Sequence, residues 1–182
     1  MEFLPTSLPD VVLIKPRVFE DRRGFFLETW STVKFAGAGY LAQFVQDNLS
    51  RSVRSTLRGL HYQIQHPQGK LVRAVRGEIY DVAVDLRRSS PTFGRWQGVY
   101  LSADNKHALW VPAGFAHGFL VTSDVADVQY KCTDTWYPQH ERTLLWNDPE
   151  IKITWPLASG QMPIMSDKDQ AGLPLRQAET YP

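Results

Sequence analysis

Apolar and polar residues alternate with a period of two along most of this chain, the spacing of strands with one buried face. The clearest case is KLVRAVRGEIYDVAVDLR, from Lys70 to Arg87, where two such stretches flank Arg76-Gly77-Glu78. A glycine there suits a tight connection or a bulge. In the second stretch Tyr80, Val82, Val84 and Leu86 share one face, and Asp81, Ala83 and Asp85 share the other. SSPTFG breaks the pattern and WQGVYLS resumes it. ADNKH turns the chain before ALWVP, AGFAHG leads into FLVTS, and DVQYKCTDTWY reads as a further strand. One helix is expected from Thr32 to Tyr40, weakened by Gly37 and Gly39. The tail from Ala158 to Pro182 reads as irregular with a short helical turn. Short strands at this spacing predict an all-β, antiparallel sandwich or barrel with few short helices, and no linker or repeat divides residues 1–182.

Several ionisable groups interrupt these apolar runs. In RGLHYQ, Leu60 and Tyr62 face one way while His61 and Gln63 face the other. Lys70 opens KLVRAV, Asp81 sits inside IYDVAV, His117 inside GFAHGF and Tyr130 inside VQYK. Each alone has a plain structural reading: an exposed histidine, a strand-end lysine, a solvent-facing aspartate, a turn histidine, a packed tyrosine. Together they form a different set. A base, an ammonium group and a phenol on neighbouring strands can abstract a proton beside a carbonyl, stabilise the enolate and return a proton. An aspartate bonded to one imidazole nitrogen would orient His61. The residue types alone leave an enzyme and a binding module equally open.

Composition narrows the classes. The chain has 182 residues and a formal charge of +1, which argues against a general nucleic-acid or membrane-surface protein, so an anionic ligand needs a local cluster of cations. Six Trp, seven Tyr and nine Phe suit β-structure with a stacking or apolar pocket. The single Cys132 can form no internal disulfide and gives no zinc spacing, and no role beyond packing is assigned to it. Pro5, Pro9 and Asp10 interrupt any signal-like opening, and no apolar run approaches membrane-spanning length, so a cytoplasmic setting is expected. No His-x-His pair occurs among His61, His66, His107, His117 and His140, and neither a nucleophile elbow nor a phosphate loop is present. A basic-aromatic stripe for nucleic acid is also lacking.

RGLHYQ, QGKLVRAVRGEIYDVAVDLRRSSPTFG, VPAGFAHGFLV, QYK, LLWNDPEI and MSDKD occur in this order, following VFEDRRGFFLETW near the start. On these motifs the chain resembles the dTDP-4-dehydrorhamnose 3,5-epimerases over most of its length. The resemblance implies a cupin-type jelly roll, a homodimer with an exchanged N-terminal segment, no metal and no other cofactor. It implies a dTDP-4-keto-6-deoxy sugar as substrate on the route to dTDP-L-rhamnose, a sugar of lipopolysaccharide. It further implies His61 as the base acting at C3 and C5, and Asp169 of MSDKD as its partner, with Asp167 as the competing choice. Lys70 would stabilise the enolate oxygen at C4, and Tyr130 would return a proton from the opposite face. Asp81 and His117 would be further members of the sugar pocket.

For the nucleotide, the resemblance implies Arg58 and Arg23 at the diphosphate, where a guanidinium suits phosphate oxygens, with Phe19, Glu28, Gln46, Asn48 and Trp136 nearby. Each keeps a plain alternative: Phe19 in the core, Arg23 and Glu28 as a surface pair, Gln46 and Asn48 satisfying a turn. The chain departs from the family pattern at Leu49, where a histidine is common, in a shorter HPQGK loop, and in the RSTLRGL approach to His61. The remaining readings are a mono-epimerase acting at C3 or C5 only, a catalytically silent sugar-nucleotide-binding cupin, and a metal-dependent cupin oxygenase.

Overall fold

The computed structural model describes all 182 residues. With strands numbered in chain order, one antiparallel sheet runs β1 (Glu2–Pro5), β2 (Val12–Lys15), β10 (Ala108–Val111), β7 (Lys70–Arg76), β12 (Val125–Cys132), β5 (Gln46–Val53). A second runs β13 (Glu141–Thr143), β6 (Leu57–Gln63), β11 (Phe115–Val121), β8 (Glu78–Asp85), β9 (Trp96–Ser102). β3 (Val18–Asp21) and β4 (Gly24–Leu27) form a separate hairpin. Two short helices, α1 (Thr32–Gly37) and α2 (Asp167–Gln170), are capped by the side chains of Ser31 and Ser166, and a 3₁₀ turn covers Pro138–His140. None is long and apolar enough to cross a membrane.

From β5 to β13 the chain passes from one sheet to the other at almost every connection, the path of a jelly roll. The sheets pack face to face over one core, with Val72, Ala74, Leu109 and Val128 from one and Ile79, Ala83, Phe115 and Phe119 from the other. The second sheet is covered on its outer face as well. There Tyr62, Val82, Val84 and Leu120 pack under Trp155, Leu175 and Ala178 of the C-terminal segment. Burial on both faces explains why β11 reads as an apolar run with little alternation. A smaller cluster around Phe35 and Trp110 covers the outer face of the first sheet beneath α1.

The period-two stretches fold as strands with the expected faces on β8: Tyr80 and Val82 turn outward, Ile79 and Ala83 inward. Three boundaries differ from the pattern. β11 already begins at Phe115, within AGFAHG. The helix ends at Gly37, short of Tyr40. The strand expected through DVQYKCTDTWY stops at Cys132, and residues 133–137 leave the sheet. There Thr133 makes a last link to Gly69, its N donating to Gly69 O at 3.0 Å and its Oγ1 accepting from Gly69 N at 2.7 Å, after which Asp134 Oδ1 takes Thr135 N at 2.7 Å in a local bond that turns the chain away.

Candidate active site

The opening histidine owes its position to an irregularity in β6. His61 pairs with His117 on β11 and Arg58 pairs with Phe119, so three steps on one strand match two on the other. Such a bulge carries both Arg58 and His61 to the inner face, although regular alternation would separate them. Gly59 allows it, with φ at +133° and its Cα so placed that a Cβ would lie 2.5 Å from Gly118 Cα. The two glycines lie back to back where β6 crosses its neighbour.

The facing sheet supplies the other groups through register. Gln46, Cys132 and Lys70 form one row across β5, β12 and β7, and Asn48, Tyr130 and Val72 form the next. Lys70 and Tyr130 therefore share a face and look across the sandwich toward His61. A cleft of about 330 Å³ opens between them, lined by Gln46, Asn48, His61, Gln68, Lys70, Tyr130, Trp136 and Glu141.

Asp169, buried on α2, meets His61 with Oδ1 at 2.5 Å from Nε2, whereas Asp167 is exposed and makes no such contact. Burial is the largest influence on His61 and lowers its pKa. Asp169 opposes this, while Lys168 and Lys70 add to it. Burial would raise the Asp169 carboxyl, but its bond to His61 and the cap from Ser166 leave it below its usual range. The pair is thus a carboxylate beside a neutral imidazole, with Nε2–H donating and Nδ1 left as a free base. Burial also lowers the Lys70 ammonium, against the nearby Cys132, Glu141 and Asp81. It raises the Tyr130 phenol, which Arg58 partly counters. A neutral base, an ammonium group and a protonated phenol suit proton transfer beside a carbonyl.

Asp81 does not face solvent. It is fully buried on the inner face and bonds His117 Nε2 at 2.9 and 3.0 Å; His117 is the cross-strand neighbour of His61, and neither Asp81 nor His117 lines the cleft. Arg58 is not among the residues that line the cleft, and it donates through Nε to Ser52 Oγ at 2.9 Å. Gln46 Oε1 accepts from Trp136 N at 2.9 Å and its Nε2 donates to Asn48 Oδ1 at 3.1 Å, so the two amides link cleft and rim rather than closing a turn. Trp136, half exposed, stands at the mouth.

Phe19, Arg23 and Glu28 are elsewhere. Phe19 and Arg23 lie on the β3–β4 hairpin, where Phe19 is exposed rather than in the core. Arg23 pairs with Asp21 at 2.6 Å and Glu28 with Lys34 at 2.7 Å, not with each other. None of the three lines the cleft of its own chain.

Sequence reasoning passed over Gln68, Glu141 and Lys168. Glu141 Oε1 takes Lys168 Nζ at 2.9 Å, so adjacent residues of α2 grip the site at two points. Lys168 stands inside MSDKD, where its place between two aspartates was a signal; Glu141 and Gln68 carried none in the alternation. No three His, Cys, Asp or Glu side chains converge as a metal site requires.

Comparison with known proteins agrees with this geometry. The sequence profile of the family described as dTDP-4-dehydrorhamnose 3,5-epimerase matches residues 5–177. The chain is 57% identical to the dTDP-4-dehydrorhamnose 3,5-epimerase of Pseudomonas aeruginosa, over 97% of each sequence. Its fold is similar to that of the Legionella pneumophila dTDP-6-deoxy-D-glucose-3,5-epimerase in complex with dTDP-4-keto-L-rhamnose, with a TM-score of 0.94, 46% identity and coverage of 98% of this chain and 94% of that one. A 3'-monoepimerase from Streptomyces bikiniensis in complex with dTDP-quinovose is more distant, at 34% identity and a TM-score of 0.88 over 94% of this chain and 87% of that one. The chain belongs to the dTDP-4-dehydrorhamnose 3,5-epimerase family.

Proposed function

We propose that this isomerase converts dTDP-4-keto-6-deoxy-D-glucose into dTDP-4-keto-L-rhamnose, by inverting C3 and C5 in turn. The observation that carries the reading is the placement of His61 and Tyr130 on opposed walls of one cleft. Inversion needs a proton removed from one face of the sugar and returned to the other. His61, held by Asp169, takes the proton from the carbon beside the C4 ketone. The electron pair moves onto the C4 oxygen, where the Lys70 ammonium stabilises the enolate. Tyr130 then protonates the carbon from the far side and recovers its proton from solvent or from His61. Both centres lie α to the same ketone, so one base and one enolate clamp serve both, and only protons are exchanged.

Asp81 and His117 support the sugar pocket from beside His61. Arg58 takes the diphosphate, and Gln46, Asn48 and Trp136 the nucleoside. Phe19, Arg23 and Glu28 join this site from a second copy of the chain. What supports the exchange is the hairpin that carries two of them: it pairs with neither main sheet and leaves Phe19, Phe25 and Phe26 exposed, at 50%, 59% and 71%. The active unit is then a homodimer. A nucleotide-activated sugar as substrate implies a cytoplasmic reaction.

The second reading, inversion at one carbon, draws on the likeness to the monoepimerase. Proton NMR of dTDP-4-keto-6-deoxy-D-glucose incubated with the protein in heavy water separates the two. Deuterium at both C3 and C5, with the inverted sugar recovered on reduction, is the expected result. Exchange confined to one carbon over a long time course replaces it with the mono-epimerase, and exchange at neither overturns proton abstraction on this substrate.

A further inference from the structure

Gln63 is almost fully buried, at 3% exposure, and lies two residues beyond His61 on the inner face of β6. Burial of an amide requires partners for its donors and its acceptor. They come from two loops. Gln63 Nε2 donates to His66 O at 2.7 Å and to Thr135 O at 3.2 Å, and Gln63 Oε1 accepts from Tyr137 N at 2.7 Å. Thr135 and Tyr137 flank Trp136, whose own N–H goes to Gln46 Oε1 on the opposite sheet at 2.9 Å. The backbone carrying Trp136 is therefore held by one amide from each sheet, across the gap that the substrate enters. Trp136 has little packing of its own at 55% exposure; its indole is turned by a side-chain bond to Glu141, and these backbone bonds fix the place from which the ring is carried.

We infer that Gln63 is a positioning residue for nucleotide binding, acting through Trp136 to fix one wall of the cleft mouth. This rests on the reading of Trp136 as a nucleoside contact. It assigns to Gln63 a role in affinity rather than in proton transfer, because its side chain touches none of the groups placed in the chemistry.

The test uses Gln63→Met, which keeps length and volume but can neither donate nor accept in this geometry. Binding of dTDP to the folded variant is measured by calorimetry, with kcat and KM in parallel. The expected result is a dTDP affinity weakened about tenfold, a KM raised to match, and kcat within about twofold of the parent. Combined with Trp136→Ala, Gln63→Met should add little further loss, since both act on one contact. Fully additive losses overturn the inference, as does unchanged affinity in a variant that merely melts earlier. If Trp136→Ala alone leaves dTDP binding intact, the underlying reading of Trp136 fails, and that single variant identifies the failure. Gln63→Glu is the companion should the methionine variant not fold. Its carboxylate opposes the carbonyls of His66 and Thr135, and protonation restores one donor. Its affinity deficit relative to the parent should therefore shrink as the pH is lowered, and a deficit independent of pH overturns the inference.

Discussion

The Asp169 carboxylate meets the His61 imidazole at 2.5 Å across 108 positions of sequence. A tail helix four residues long thus brings a carboxylate to a histidine on the second sheet. Lys168, its neighbour, closes on Glu141 at 2.9 Å.

Removing the proposed base tests the chemistry directly. His61→Ala should lower kcat by on the order of 10²–10⁴-fold with dTDP binding largely kept. Asp169→Asn should cost less, since the ring remains but loses its anionic partner. Single-turnover rates beside dTDP titrations check both, and loss of binding in step with rate would assign these residues to affinity instead.

The acid limb of the pH–rate profile follows from the same pair. His61 acts neutral, and burial lowers its pKa, so kcat/KM should fall only below the ordinary histidine value of about 6.5. Asp169 raises the imidazole pKa and Lys168 lowers it. Asp169→Asn should therefore shift the limb to more acid pH, and Lys168→Met to less acid pH. Opposite displacements in the two profiles are the result to look for; a common shift would rule out His61 as the titrating group.

Two inactive variants should restore each other if sites are shared between copies. A heterodimer of one His61→Ala chain and one Arg23→Glu chain holds one site with both lesions and one with neither. Random mixing after co-refolding should recover about a quarter of parental activity per site. Activity no higher than the sum of the two homodimers would place Arg23 and His61 in one chain's site.

Gly59→Ala should destabilise the protein by about 3 kcal/mol, from left-handed backbone strain and collision with Gly118. Relief of that collision shifts β6, so kcat should drop in the protein that remains folded. Urea melts and initial rates on the same samples give both numbers.

Away from the cleft, Asp85 is fully buried by surface area and accepts from Arg87, Ser90 and Thr92. Burial favours its neutral form, yet these bonds hold its pKa down to about 2, against a usual 3.8. Its contribution is then complete above pH 3.8 and disappears as the pH falls through about 2. Asp85→Ala should cost about 3 kcal/mol at neutral pH, leaving Arg87 short of a partner, and little in strong acid. Denaturant unfolding across this range decides it.

How far the sequence is legible depends on how local the cause is. The faces of β8 and the inward turn of Lys70 and Tyr130 follow from alternation alone. Arg58 and His61 could not be placed together that way, because their shared face depends on Gly59 meeting Gly118, far along the chain. Alternation does not reveal the hairpin β3–β4, strand β5 or the pair β1–β2: β5 turns polar Gln46, Asn48, Ser50 and Ser52 inward, β2 is buried on both faces, and the rest are four-residue strands with mostly exposed side chains. The pattern places Trp136 on a strand, but the local bond from Thr135 N to Asp134 Oδ1 turns it into a loop. The choice of Asp169 over Asp167 rested on family position, and the helix capped by Ser166 is what turns one inward and the other out.

The tail does two things at once: Leu175 and Ala178 cover the outer face of the second sheet, and Asp169 reaches His61. Synthesis proceeds from the amino end, so neither contribution exists until the last stretch of chain has been made. Translation that stalls before residue 169, or a protease cut just ahead of it, therefore leaves an apolar sheet face uncovered as well as a histidine without its carboxylate.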